Sequence, residues 1–264
     1  MNREVEKPEL YCINLNREPE KFKQIEKEFS SLFKINRVSA IDGKIHKMSG
    51  VQALFKTNSN LFAKIIDSDI KTPYVIIIED DVYKCKDFDS FWPKIFTYIN
   101  SNSNWDFISF DHFLNFERAN IEIFNELFYK IKRSRSTGFM IYNIDFLRAN
   151  INYLSACGCL DKTMKQNAKF RQLIPKTVIV KQHVDKLSNT RNIITGKYNN
   201  HYDKTETILN NFRETEAKKY KCANQSCNYM KHTNIKNNGG THCCRACKQN
   251  NKHGPLCLQR CFMI

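Results

Sequence analysis

No stretch of this chain approaches the roughly 20 consecutive apolar residues that a membrane-crossing helix requires. The first residues, Met1 to Glu9, are polar and acidic and hold no apolar signal core. The expectation is therefore a protein kept in a reducing compartment, the cytoplasm. No helix-turn-helix and no RNA-binding aromatic motif stands out, so nucleic acid is not the favoured partner. Acidic residues are absent from 220–264, which hold seven Lys or Arg. The whole chain carries a formal net charge of +15. A basic balance suits polyanions, phosphorylated substrates or anionic membrane surfaces without choosing among them.

What is present centres on residues 75–82. Val75-Ile76-Ile77-Ile78 run directly into Glu79-Asp80-Asp81. A short, continuous apolar run predicts a strand buried on both faces, the kind found mostly in parallel sheets under helices. Three acids at its end repel one another and resist burial. A divalent cation would offset that cost, and hard carboxylate oxygens suit magnesium or manganese. The carboxyl ends of strands are also where open α/β sheets bind ligands. The plain alternative is a strand that runs into a solvated acidic turn.

Other elements fall on either side. Leu10–Leu15 reads as the first strand, and Phe22, Ile25, Phe29 and Phe33 have helical spacing through 19–33. A strand at Ile35–Val38 leads to a turn at Asp42-Gly43, and 50–68 reads as a helix. Trp92-Pro93 is expected to open a further helix, Phe107–Phe110 to be a strand ending at Asp111, and Tyr129–Lys132 and Gly138–Tyr142 to be strands. Helices are expected at 145–154 and 161–172, and an apolar strand at 177–180. Strands alternating with helices give an α/β layered fold. Residues 186–219 are polar and read as a linker or surface arm. The expected domains are therefore 1–190, a linker over 191–219, and a basic cysteine-rich module over 220–264.

Several motifs, in order, resemble one family. Tyr11-Cys12-Ile13-Asn14-Leu15-Asn16-Arg17-Glu18-Pro19 opens the series. Ala40-Ile41-Asp42-Gly43, Ile78-Glu79-Asp80-Asp81, Trp105-Asp106 and Gly138-x-x-x-Tyr142 follow, then Asp161, Pro175 and Gln182. Together they resemble glycosyltransferase family 25, the lipopolysaccharide and collagen β-galactosyltransferase relatives, over about residues 10–190. Asn60 stands where that family has a histidine, and Glu18 and Lys21 stand where it usually has arginines.

The resemblance implies a GT-A-like fold, a UDP-linked nucleotide sugar as donor, and inverting transfer to a hydroxyl of a glycan, glycolipid or glycoprotein. It implies Mn2+ or Mg2+ at Glu79 and Asp81. Donor contacts are expected from Asn14, Leu15, Arg17, Asp42 and Asp80. Arg17 reads equally as a surface ion pair, and Asp42 equally as a plain turn residue. An inverting reaction needs a proton acceptor. Asp161 is the expected base, and Asp111 an expected donor contact that can replace it. A non-catalytic sugar-nucleotide or glycan-binding relative is the first alternative. A nucleic-acid-associated protein working through its cysteine module is the second.

Seven of the eleven cysteines lie between Cys222 and Cys261. A segment this small, with few large apolar residues, needs metal or crosslinks to fold. Cys244-x2-Cys247 has zinc-ligand spacing, and Cys222 with Cys227 would complete a tetrahedral site. The rival is a disulfide knot with one thiol left over. The Gly-Gly-x-x-Cys-Cys pattern resembles tails on proteins of large DNA viruses and algae. A viral source implies the host cytoplasm, with packaging in the virion. The zinc expectation has a direct check, which is native mass with and without a chelator. Loss of at least one zinc mass on chelation is the expected result, and an unchanged mass with free thiols lost two by two shows disulfides instead.

Overall fold

The computed structural model describes residues 7–68, 70–114, 120–165, 167–183 and 199–220. The chain divides into two units, Met1–Glu206 and Thr207–Ile264. Among the described residues no helix is long and apolar enough to cross a membrane. The zinc ligands expected at Cys222, Cys227, Cys244 and Cys247 lie outside the described residues.

The first unit is built on a mixed sheet of eight strands. Strands β1 (Glu9–Asn14), β2 (Lys34–Ser39) and β3 (Tyr74–Glu79) run parallel, with β1 in the middle. On the far side of β3 lies β8 (Phe139–Asn143), which is antiparallel to it. Beyond β8 come β5 (Phe107–Ser109), β9 (Gln172–Pro175), β7 (Phe128–Ile131) and β6 (Ile121–Ile123). A separate two-stranded ladder pairs β4 (Val82–Lys84) with β10 (Val180–Gln182). β3 therefore departs from an all-parallel setting, because its second neighbour enters from the opposite direction.

The apolar run of β3 is buried on both faces as expected. Side chains alternate along a strand, and the two faces feed two cores. Ile76 and Ile78 pack with Phe29 of α1 (Pro19–Phe29) and with Phe88 and Trp92 of α3 (Phe88–Ser101). Val75 and Ile77 pack with Leu61, Phe62 and Ile65 of α2 (Gly50–Asp67) and Leu147 of α4 (Ile144–Ala156). Two caps fix the entry of these helices. Ser49 and Gln52 form a capping box at α2, and the Asn143 side chain accepts from Asp145 N and Phe146 N at α4.

Three expectations are corrected. α3 begins at Phe88, and Pro93 lies inside it. Buried Phe88, Trp92, Ile95 and Ile99 anchor one helical face on both sides of the proline, which outweighs the lost backbone bond. The helix expected over 161–172 is only α5 (Leu160–Thr163). Asn167 Oδ1 accepts Lys169 N at 3.0 Å, a local turn that competes with the helix, and Gln172 opens β9. The stretch read as a linker carries α6 (Asn199–Tyr220), in which Tyr202 and Thr205 are buried.

Phe139 is the keystone of the first core. Its ring meets Phe29, Phe88 and Phe110, with centroids 6.0, 6.1 and 4.9 Å away. Replacing it with Ala should cost about 3–5 kcal/mol of stability, a cavity plus lost transfer energy. Chemical denaturation of both proteins measures this, and a loss below about 1 kcal/mol would show that the core collapses to fill the space.

Candidate active site

Glu79 ends β3, and Asp80 and Asp81 form the turn into β4. The backbone holds this turn from the β8 side, where Glu79 N donates to Gly138 O at 2.8 Å. Thr137 Oγ1 donates to Glu79 Oε1 at 2.9 Å. Asp81 Oδ1 accepts from Gln182 Nε2 at 3.3 Å, and its carbonyl accepts from His183 N at 2.7 Å. Asp80 turns the other way, toward β1. There Asn14 Nδ2 donates to Asp80 Oδ2 at 2.5 Å and to Glu18 O at 2.9 Å. Asn14 Oδ1 in turn accepts from Arg37 Nε and Nη2 at 2.9 and 2.5 Å.

Asp111 joins this group just beyond β5. It is fully buried, and its two oxygens accept from the Tyr202 and Ser136 hydroxyls. Gly138 fits between these groups only because it has no side chain. A Cβ there would lie 2.5 Å from Asp111 Oδ2 and 2.7 Å from Gln182 Nε2. Lys165 lies buried behind Ser136. Its ammonium donates to Ser109 Oγ at 2.7 Å, to Arg135 O at 3.0 Å and to Ser136 O. Residues 134–138 thus form a collar, tied to Lys165 on one side and to Glu79 and Asp111 on the other.

The charges are unbalanced. Burial raises the Glu79 carboxyl to about 8, and Asp81, Asp111 and Asp80 add to the rise. Burial also raises Asp81 to about 7, helped by Asp80 and Asp111 and opposed by Lys21. Asp80 and Asp111 are raised by burial too, with their hydrogen bonds opposing. Burial pulls Lys165 down to about 8, while Asp161, Asp111 and Glu79 hold its charge in place. His112, wholly buried, is pushed down to about 3 by burial and by Lys165. Its Nδ1 lies 3.1 Å from Phe110 O, and a carbonyl only accepts, so that nitrogen carries the proton.

The structure thus brings Glu79, Asp80, Asp81 and Asp111 together, with Asn14 behind Asp80. Asp161, half-buried in α5, is linked to the group electrostatically through Asp111 and Lys165. Arg17 and Asp42 form an ion pair with each other at 2.6 Å, and Arg17 also meets Glu18 at 2.8 Å. The Leu15 carbonyl closes a turn by accepting Glu18 N at 2.9 Å. Asn14 is buried, and both ends of its amide are taken up by protein partners. Its amide positions Asp80. Asp106 anchors β9 by accepting Arg171 N at 2.7 Å. Sequence reasoning missed Lys165, Tyr202, Arg37, Ser136 and Thr137. Only Ser136 and Thr137 had a signal, their place directly before Gly138.

Among the described residues no group of three or more His, Cys, Asp or Glu side chains is set to hold a metal ion by itself. A carboxylate has about four acceptor sites, and Thr137 and Gln182 each occupy one, on Glu79 and Asp81. Both carboxylates keep further acceptor sites, hard oxygens of the kind magnesium takes together with substrate oxygens.

No family model matches this chain, and no curated protein matches it. Among solved structures it is similar to a glycosyltransferase involved in the glycosylation of the major capsid of PBCV-1. That likeness has a TM-score of 0.46 and 11% identity, over 70% of this chain and 96% of the other. It is also similar to mouse xyloside xylosyltransferase 1 in its apo form, with a TM-score of 0.33 and 10% identity. There the match covers 62% of this chain and 63% of the other. At these scores neither likeness assigns a fold or a function.

The raised carboxyls give stability a definite pH dependence. The folded chain holds the Glu79 proton from its ordinary value of 4.5 up to about 8, where the unfolded chain has released it. Stability present below the ordinary value is therefore lost as pH climbs through the raised one. Asp81 acts with the same sign. His112 acts with the opposite sign, its contribution fading as pH falls below 6.5 toward 3. Glu79→Gln isolates the first effect. It should melt with wild type at pH 5 and roughly 5 °C above it at pH 8, at about 2–4 °C per kcal/mol. Identical melting of the two proteins across this range would show that Glu79 ionises freely.

Proposed function

We propose that the chain is a metal-dependent, inverting glycosyltransferase with a GT-A-like fold of the family 25 type. Its donor is a nucleotide sugar, UDP-linked, and its acceptor a hydroxyl on a glycan, lipid or protein. The observation that carries this reading is the carboxylate cluster at the carboxyl edge of the sheet, whose raised pKa values mark a site short of positive charge. The ordered family motifs support it, since Ile78-Glu79-Asp80-Asp81 supplies that cluster. Asn60 is exposed on α2, so the missing family histidine does not empty a buried position.

Manganese or magnesium, when held by Glu79 and Asp81, would neutralise charge developing on the departing diphosphate. The remaining steps belong to the chain. Arg37 and Asn14 hold Asp80 at the donor side. Lys165, Ser136 and Tyr202 fix Asp111 and with it the collar. Asp161 takes the proton from the acceptor hydroxyl as its oxygen bonds to the anomeric carbon. The bond from that carbon to the diphosphate oxygen breaks on the opposite face, and its electron pair leaves with the nucleotide. Asp111, with both oxygens engaged, serves as a support and not as a group that meets substrate. Arg17, once released from Asp42, would reach the donor phosphates. The cysteine-rich tail and its zinc belong to the same proposal, as does action in the host cytoplasm of a large DNA virus.

Thermal melts with no addition, with manganese, and with manganese plus UDP test the site. Wild type should rise only when both ligands are present, and Asp81→Asn should lose the rise. Equal stabilisation of both proteins by UDP without metal would sink the reading. Asp161→Asn should keep the rise but lose on the order of 100-fold or more in donor turnover. If its turnover is unchanged, Asp161 is not the base.

A further inference from the structure

Four large apolar side chains stand exposed among the described residues, namely Ile45, Val51, Ile123 and Tyr153. Two of them flank a single turn. Ile45, at 75% exposure, sits at the tip of the loop before α2, and Val51 lies in the first turn of that helix. Scattered surface apolar residues need no explanation, but this pair has a distinctive setting. Lys44, His46 and Lys47 around Ile45 are all exposed. No acidic residue occurs between Asp42 and Asp67, and Asp42 is already paired with Arg17.

The tip is also held in shape. His46 N donates to Asp42 O at 3.0 Å, and Met48 N to Gly43 O at 2.9 Å. Lys44 N donates to Asp42 Oδ1 at 2.9 Å, and the Ser49–Gln52 capping box closes the far side. Lys47 has a φ of 52°, in the left-handed region that side chains rarely adopt. The fold thus holds an isoleucine out in water between two lysines. The loop leaves β2 at the carboxyl edge of the parallel strands, the edge that also carries Glu79, Asp80 and Asp81.

We infer that this turn docks on an anionic lipid bilayer, with Ile45 and Val51 entering the headgroup boundary and Lys44 and Lys47 meeting its negative charge. A polyanionic glycan would use the lysines but gain nothing from Ile45, whereas a bilayer uses both. Docked in this way, the chain turns its carboxylate edge toward the membrane, and the acceptor is a lipid-borne glycan. The acceptor identity rests on the glycosyltransferase reading, and the docking does not.

The test is co-sedimentation of the full chain with phosphatidylcholine vesicles, with and without phosphatidylserine, near physiological salt. Wild type should bind only the phosphatidylserine vesicles. Lys44→Gln with Lys47→Gln should weaken binding roughly tenfold or more, and Ile45→Ser roughly fivefold. All three side chains are exposed, so melting temperatures should not move. Wild type failing to bind, or both variants binding as wild type does, overturns the docking. Loss of dextran sulfate binding in the lysine variant, with vesicle binding absent throughout, assigns the surface to a polyanion and also overturns it. If vesicle binding behaves as expected while UDP and manganese leave the melt unchanged, the docking stands and the lipid-borne acceptor falls.

Discussion

Ionised carboxylates resist burial, and this fold gathers four of them, Asp111 fully buried and Glu79, Asp80 and Asp81 half-buried. Nearly every specific feature of the region answers that constraint. Thr137, Ser136, Tyr202, Gln182 and Asn14 each present a donor to one of the four. Gly138 gives up its side chain so that the collar can approach Asp111. Lys165 contributes a buried cation. Even so, Glu79 and Asp81 remain raised, so the compensation is incomplete. Incomplete compensation leaves a binding energy that a cationic ligand can use.

Much of the fold was legible because its cause is local. The apolar run Val75–Ile78 reads as a strand buried on both faces, and it is one. Phe22, Ile25 and Phe29 repeat at helical spacing and form α1, which ends at Phe29, short of the expected Phe33. The stretch 50–68, apolar at Leu54, Leu61, Ile65 and Ile66, forms α2. The failures share a different cause. Pro93 lies within a helix because four aromatic and aliphatic side chains pin that helix to the sheet. The helix expected over 161–172 stops after one turn, where Met164 and Lys165 are drawn inward and the local Asn167 turn follows. Tertiary packing overrode propensity in both places.

The site divides in the same way. Its acids were legible, since three carboxylates on an apolar strand conflict with burial in any context. The residues that restrain them were not. Lys165 sits among polar neighbours and looks like any surface lysine. Tyr202 lies in a stretch of Asn, Thr and Lys whose composition argues against a core. Asn14 was legible as part of a motif, but only the geometry shows its amide filled by Arg37, Glu18 and Asp80. Spacing reports which side chains share a strand end, and it says nothing about which partners arrive from elsewhere in the chain.

The antiparallel entry of β8 next to β3 has a consequence for the growing chain. A ribosome delivers β1, β2 and β3 early, and these can pair as they emerge. The acids at the end of β3 must then wait for the collar, for Lys165 and finally for Tyr202, which come much later in synthesis. During that interval the sheet has an open edge beside its most charged turn. Charge on that turn discourages a neighbouring nascent chain from adding a strand, as charged residues do on exposed sheet edges generally. The same acids that burden the finished fold therefore guard the unfinished one.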